Sequence, residues 1–202
     1  RMALAHLAPR DTRTLDEAAV ARAAVGDLAR GFAEGVVAPL FWLAVAGLPG
    51  AAAYKLIATA ASEVAPARDA AAQNAAYGWA ASRLEDAANW PSGRLAAMWF
   101  SAAARIMPGA DWRKAALSAV RDGPRHRNLN AGWPEAAIAG ALDLALGGPA
   151  TAGGRRTDNA WMGTGRRALT PADIHLALRL YRLAYLLQAA AIAALALVAL
   201  VV

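Results

Sequence analysis

The chain has 202 residues, 58% hydrophobic and 18% charged, with 21 Lys/Arg against 15 Asp/Glu and a formal net charge of +6. Soluble domains are typically about 45–50% apolar and about 25% charged, so this balance points to a membrane-associated protein of one or two domains. The absence of cysteine excludes disulfides, cysteine-ligated zinc and iron–sulfur clusters, and with no run of five Lys/Arg and no aromatic-basic interleaving, nucleic acid is not expected as a partner.

Arg10 to Arg30 reads as a packing helix outside the bilayer. Thr14 and Glu17 form a capping box, Leu15, Ala18, Ala19, Val25 and Leu28 a rough apolar stripe, and Asp16, Arg22 and Asp27 the opposite face. Val36 to Ala61 is long and apolar enough to span a membrane. Pro39, Gly47, Pro49 and Gly50 interrupt it, and broken helices survive at membrane depth only where the freed backbone groups find partners. Lys55 within it marks a site by its cost at that depth, or else snorkels to the interface. Glu63 to Trp90 is polar and helical. Arg83, Asp86 and Asn89 share one face there; the adjacent carboxylates Glu85 and Asp86 could hold Mg²⁺, while Arg83 and Asp86 at i, i+3 fit an ordinary surface ion pair.

Leu95 to Met107 is apolar but short, which favours a buried or re-entrant segment over a crossing. Asp111 to Val120 suggests a further helix, and Arg121 to Arg127 a charged turn. Asn130, Gly132, Trp133 and Pro134 then form a turn opening a short helix with Glu135 in its first turn, closed by Gly147-Gly148. A polar loop follows, with six glycines from Gly147 to Gly165 and the pairs Arg155-Arg156 and Arg166-Arg167. Glycine lets backbone N–H groups approach an anion, and arginine matches phosphate oxygens with a planar fork. Gly153, Gly154, Gly163, Gly165, Arg155, Arg166 and Arg167 are therefore the expected phosphate contacts. Thr170-Pro171-Ala172-Asp173 starts a last helix. It runs into Ala184–Val202, which carries no charge and is the clearest transmembrane segment. Eleven basic residues against six acids between Pro108 and Arg182 place loop 108–182 on the cytoplasmic side. The fold class expected is an all-α, polytopic membrane helix assembly. His6, His126 and His175 have no metal spacing and receive no role.

These pieces resemble the adenosylcobinamide-phosphate synthase family of cobalamin biosynthesis. The resemblance is carried by RDT at Arg10–Thr12, APLFW at Ala38–Trp42, LPG at Leu48–Gly50, Tyr54-Lys55, RLEDAAN at Arg83–Asn89, Arg94-Leu95, NAGWPEAA at Asn130–Ala137, GGP at Gly147–Pro149 and GTGRRALTPADI at Gly163–Ile174. It covers almost the whole chain, and NAGWPEA is its most specific part. It implies a multi-pass bacterial inner-membrane protein whose longer members carry further N-terminal hydrophobic segments, so that residues 1–202 form a C-terminal portion. It also implies ATP-dependent amide ligation of adenosylcobyric acid with aminopropanol phosphate or ethanolamine phosphate, with Mg²⁺ accompanying the nucleotide. On that reading Lys55, Asp86, Asn89, Asn130 and Glu135 are the catalytic candidates, with Asp86 and Glu135 for Mg²⁺ or the amine proton. Membrane lipid and a homo-oligomer are further expected partners.

The chain departs from the family pattern at several polar positions. Arg30 stands for a glutamate, Gly31 for an asparagine, Glu34 for an aspartate, Ala58 for an asparagine, Ala61 for an aspartate and Ala65 for a glycine. Leu129 and Ala152 replace a common proline and tyrosine. A catalytically impaired paralogue that binds a ligand or senses it is therefore the alternative, and a transporter is a third reading without an inverted repeat to support it.

Overall fold

The computed structural model describes residues 17–64, 72–152 and 155–201. Arg10–Thr12, the Thr14 cap, Ala65, Gly153 and Gly154 lie outside the described residues. Six helices dominate: α1 Glu17–Phe32, α2 Ala38–Val64, α3 Ala72–Ile106, α4 Trp112–Asp122, α5 Gly132–Ala141 and α6 Pro171–Val201. A π turn at Ala33–Val37 joins α1 to α2.

The core is built from small residues. α1 buries Ala21, Val25, Ala29 and Phe32 at a spacing of three or four; of the expected stripe Val25 is fully buried and Leu28 packs partly against the core, Ala18 and Ala19 are half-buried, and Leu15 lies outside the described residues. Alanine ridges let helix axes approach closely, which outweighs the larger transfer energy of leucine. Phe32 locks three helices together, 4.8 Å from the Phe100 ring on α3 and 5.2 Å from the Tyr181 ring on α6. α5 is buried almost throughout, and a Cβ on Gly140 would collide with the carbonyl of Lys114 on α4.

The first apolar stretch does not run straight. Ala46 (φ −132°, ψ 16°) and Gly47 (φ 64°, ψ −159°) leave the helical region, and Gly47 adopts a conformation essentially reserved for glycine. Beyond the break the chain turns back. Gly50 packs against the Trp42 carbonyl, and the Tyr54 hydroxyl reaches the Glu34 carbonyl at 2.9 Å. Twenty residues of straight helix would separate those groups by about 30 Å. By length and hydropathy two segments qualify to cross a membrane, Glu17–Glu63 and Pro171–Val198. The first is a helical hairpin, and its ascending arm from Ala38 reaches about 12 Å against a hydrocarbon core of about 30 Å. Its tip is apolar and exposed, Leu48 at 78%.

The polar stretch ending at Trp90 and the apolar stretch from Leu95 form one helix, α3, with Pro91 inside it. Proline removes one intrahelical bond and crowds the preceding turn. The carbonyls on either side of Ala87, whose own helical donor Pro91 removes, take long-range donors: Trp42 Nε1 bonds Ala88 O at 3.0 Å and Asn130 Nδ2 bonds Asp86 O at 2.8 Å. Leu95–Met107 is thus a core segment rather than a crossing, with Ala96, Phe100, Ala103 and Ala104 buried. The Arg83 and Asn130 regions consequently lie on the same side.

The all-α expectation needs one correction. The glycine- and arginine-rich loop is a ladder of short strands, β1 Leu146–Gly147 with β4 Trp161–Met162, and β2 Ala150–Ala152 with β3 Arg155–Thr157, both antiparallel. Two- and three-residue strands are too short to display an alternating pattern. Helix α5 also ends at Ala141, before Gly147-Gly148; Asp143 (φ 54°) supplies the left-handed residue after it. α6 begins as its sequence suggests, with Thr170 N and Oγ1 donating to Asp173 Oδ2 at 2.7 and 3.0 Å. Its first half packs on α1 and α3 through Ala177, Leu180 and Ala184, whereas its end stands exposed, Leu195 at 69%.

Candidate functional site

Glu135 is positioned by the turn that precedes it. Asn128 Oδ1 accepts from the N–H groups of Asn130 (2.9 Å) and Ala131 (3.1 Å), which turns the chain into α5. Asn130 then ties that turn to α3 through Asp86 O, and Gly93 leaves room for the Asn130 carbonyl. Asn128 therefore shapes the turn, which composition around Asn130 did not single out, and the N-cap position itself, Ala131, has no side-chain cap.

The Glu135 side chain is 8% exposed and enters a cradle with glycine walls. A Cβ on Gly26 of α1 would lie 3.3 Å from Glu135 Oε1, and one on Gly147 would lie 3.7 Å from it. His126 Nε2 is 3.4 Å from Glu135 Oε2. The other ring nitrogen meets Asn128, whose N–H is 3.0 Å from His126 Nδ1. Nδ1 also lies 2.8 Å from Asn128 O, so the ring proton sits on Nδ1 when it donates there and on Nε2, facing the carboxylate, when Nδ1 accepts. His126 thus belongs beside Glu135, although no metal spacing in the sequence marked it.

Gly147 pairs in register with Trp161, which carries the cradle into a second feature. Gly148 (φ 78°) lies against the Trp161 benzo ring, where any side chain would collide. Arg167 places its guanidinium carbon 4.6 Å from the centre of that indole and Arg22 places its own at 5.8 Å. Arg22 Nη1 also donates to Arg167 O at 2.6 Å. The Glu135 carboxylate and the two guanidiniums are thus both bordered by α1 and the β1–β4 pair.

The other expected site residues divide. Asn89 is buried, but its Oδ1 accepts from Tyr54 OH at 2.9 Å and Ser92 Oγ at 3.3 Å, a knot that docks the α2 hairpin on α3. Tyr54, not Lys55, makes that contact. Neighbours on a helix point about 100° apart, and Lys55 is exposed. Asp86 joins through its main chain, while its carboxylate turns to Arg83 at 3.8 Å. The two carboxylates expected to share Mg²⁺ are thus engaged separately. Arg166 spends its fork on Asp173, at 2.7 and 3.1 Å, and on Ala168 O, which makes it a brace for the start of α6. Gly163 donates its N–H to Asp122 at 2.9 Å, and Gly165 packs on the Asp143–Leu144 backbone, so both hold the ladder to α4 and α5. Arg155 is described by its strand position opposite Ala152.

Asp122 was unmarked in the sequence and is the hub of that junction. It is 3% exposed, bonded by Arg121 Nε at 2.8 Å and Nη2 at 2.6 Å. Arg125 adds an ion pair at 3.6 Å. The Arg121 hydrogen bonds hold the Asp122 carboxyl below the usual carboxylate range, assisted by Gly163 N–H and opposed by burial.

Among the described residues no group of three or more His, Asp or Glu could hold a metal. Mg²⁺ usually needs only one or two carboxylates once substrate phosphates and water complete its shell; Asp86 and Glu135 are single carboxylates, facing Arg83 and His126 respectively.

Fold and site together give a mostly helical protein with two segments long and apolar enough to cross a membrane, and with a glycine-walled carboxylate and an arginine–tryptophan cluster. The family model described as CobD/Cbib protein matches residues 1–181, and the chain belongs to that family. A Sinorhizobium sp protein named Cobalamin biosynthesis protein CobD is 48% identical over 176 residues, covering 86% of this chain and 54% of the relative. The protein of the same name from Sinorhizobium fredii is 45% identical over 199 residues, covering 98% and 60%. The one from Rhodobacter capsulatus is 40% identical over 183 residues, covering 90% and 55%. The chain thus spans somewhat over half the length of these curated relatives. No solved structure matches it.

Proposed function

We propose that this chain is the C-terminal portion of a cobalamin-biosynthetic ligase of the bacterial inner membrane. It joins a carboxylate of adenosylcobyric acid to the amine of aminopropanol phosphate or ethanolamine phosphate at the expense of ATP. The observation that carries the reading is the adjacency of Glu135, in its His126 and glycine cradle, to the Arg22–Trp161–Arg167 platform. In the reaction, the substrate carboxylate attacks the terminal phosphorus of ATP, giving an acyl phosphate and ADP. The amine nitrogen then attacks the acyl carbon and phosphate leaves. The nitrogen must lose a proton to become an amide, and Glu135 is the base placed for it. Arginines hold the phosphate-bearing substrates. Asp86 or Glu135 would hold Mg²⁺, which would supply charge neutralisation on the nucleotide. Pro171–Val198 crosses the bilayer, the Ala38–Val64 hairpin dips into it, and the 108–182 region faces the cytoplasm.

A second reading is supported by Ala58 and Ala61. Ala58 packs beside Tyr54 and Ala88, and Ala61 is 7% exposed, so positions that are polar in the family pattern are here part of the packing. A protein that binds the ligands without joining them fits this replacement. The test is to supply the purified protein in nanodiscs with ATP, Mg²⁺, cobyric acid and each amine, and to look for the amide by mass spectrometry. Amide formation supports the ligase. Corrinoid binding without amide supports the second reading.

A further inference from the structure

Helix α3 repeats one small pattern. Trp79 to Arg83 reads WAASR and Trp90 to Arg94 reads WPSGR, and Arg105 follows eleven residues after Arg94. Eleven residues complete three helical turns to within about 20°, so Arg83, Arg94 and Arg105 fall on one face at steps of about 16 Å. Two of these arginines lie over their own indoles, Arg83 at 5.9 Å from the Trp79 ring centre and Arg94 at 4.2 Å from that of Trp90. The face is open: Trp79 is 64% and Trp90 59% exposed, and Ala87, Met98 and Arg105 are exposed with them. The Trp133 ring, 4.8 Å away, fixes Arg94 from its other side. Among the described residues no carboxylate lies within ion-pair distance of Arg94 or Arg105, and Arg83 has the exposed Asp86 at 3.8 Å, a weak pair.

The course of α3 sets where this face lies. Asn89 and Phe100 are eleven residues apart on it, about 16 Å. Their counterparts past the end of α1 are Glu34, across the Tyr54 hydroxyl, and Phe32, ring against ring. Those two are only about 3 Å apart along their own axis, so α3 runs across α1 rather than along it. Phe32 also meets Tyr181 on α6, and both apolar segments leave the core just beyond this level, α2 from Ala38 and α6 from Ala184. A helix laid across the base of two membrane-entering segments lies near the plane of the lipid headgroups. Tryptophan and arginine suit that level, the indole because it is amphipathic and the guanidinium because it matches a phosphate. A second copy of the chain would bring the same arginines to a shared two-fold face, where they repel.

We infer that the Trp79, Arg83, Trp90, Arg94 and Arg105 face of α3 is a docking surface for anionic phospholipid, with the indoles at the acyl boundary and the guanidiniums on the headgroup phosphates. It goes beyond the ligase reading and takes from it only the membrane placement of α2 and α6.

The chain has no cysteine, so Ala87→Cys gives a fluorophore one attachment point between the two Trp–Arg pairs, and Leu195→Cys gives a reference on the exposed end of α6. The full chain is placed in nanodiscs of phosphatidylcholine and phosphatidylglycerol, and quenching is read for acyl-brominated forms of each lipid and for aqueous iodide. The expected result is an Ala87 label quenched by lipid and shielded from iodide, with brominated phosphatidylglycerol preferred over brominated phosphatidylcholine. That preference, as a relative association constant, falls about fivefold in Arg83→Gln and in Arg94→Gln, as loss of one charge near an anionic surface does. Arg94→Lys keeps most of it, because the charge remains. Circular dichroism checks that each variant keeps its helices. An Ala87 label quenched by iodide and not by lipid overturns the surface. A label reached by neither quencher is covered by protein and overturns it in favour of a second copy. Lipid quenching without the phosphatidylglycerol preference, or with a preference that folded Gln variants keep, overturns the headgroup assignment. A Leu195 label open to iodide removes the membrane placement itself, and the surface with it.

Discussion

Two buried polar groups, the Asn89 knot and the Glu135 cradle, sit on opposite sides of the Asn130 turn and are built differently. Around Asn89, the partners are internal: Tyr54 OH and Ser92 Oγ donate to its side chain, and Trp42 and Asn130 donate to carbonyls of the same turn. Around Glu135, Gly26 and Gly147 lie against the carboxylate together with the His126 ring at 3.4 Å. Burial and polarity alone therefore do not distinguish the two regions. What differs is their lining: hydroxyl and amide donors around Asn89, glycine backbone and an imidazole around Glu135.

The largest effect that tests this contrast is on catalysis. Glu135→Gln keeps shape and loses the base, so amide synthesis is expected to fall by a factor on the order of 10²–10⁴ with helical content unchanged. A parental rate would remove Glu135 from the chemistry and reduce the cradle to packing. Next is Gly140→Ala, where a Cβ meets the Lys114 carbonyl and neither backbone has room to move. A loss of about 2–3 kcal/mol in denaturant unfolding is expected, and a neutral result would mean that α4 and α5 are not in close contact.

Asp122→Asn tests the junction between α4 and the ladder, with an expected loss of about 2 kcal/mol at neutral pH. Because the native carboxyl lies below its unfolded value, the Asp122 contribution is fully present above about pH 4. It disappears as pH falls through the native value, so parent and variant unfolding curves should converge in acid. A gap that persists below that pH would show that the ionised form is not what stabilises the parent. The smallest effects come from the adjacent pair on α2. Tyr54→Phe should cost about 1 kcal/mol through the hydroxyl that bonds Glu34 O and Asn89, and Lys55→Ala should change neither stability nor rate. Reversal of that order would put the lysine back in the site.

Composition, hydropathy and cap chemistry were enough for the mostly helical character, the two segments apolar enough to cross a membrane, the start of α6 at Thr170–Asp173, the break near Gly47, and Glu135 in the first turn of a short helix, because each depends on neighbours within a few residues. The ordered motifs carried the family for the same reason. Long-range contacts decided everything else. The apolar hairpin reverses because Gly47 permits it and Tyr54 finds Glu34 and Asn89. Pro91 stays inside a helix because distant donors take its turn's carbonyls. His126, Asp122 and Arg22 acquire partners from segments up to 145 residues away, Arg22 reaching Arg167. Which arginine braces the frame and which faces a ligand depends on where carboxylates arrive in space, and linear spacing contains no record of that.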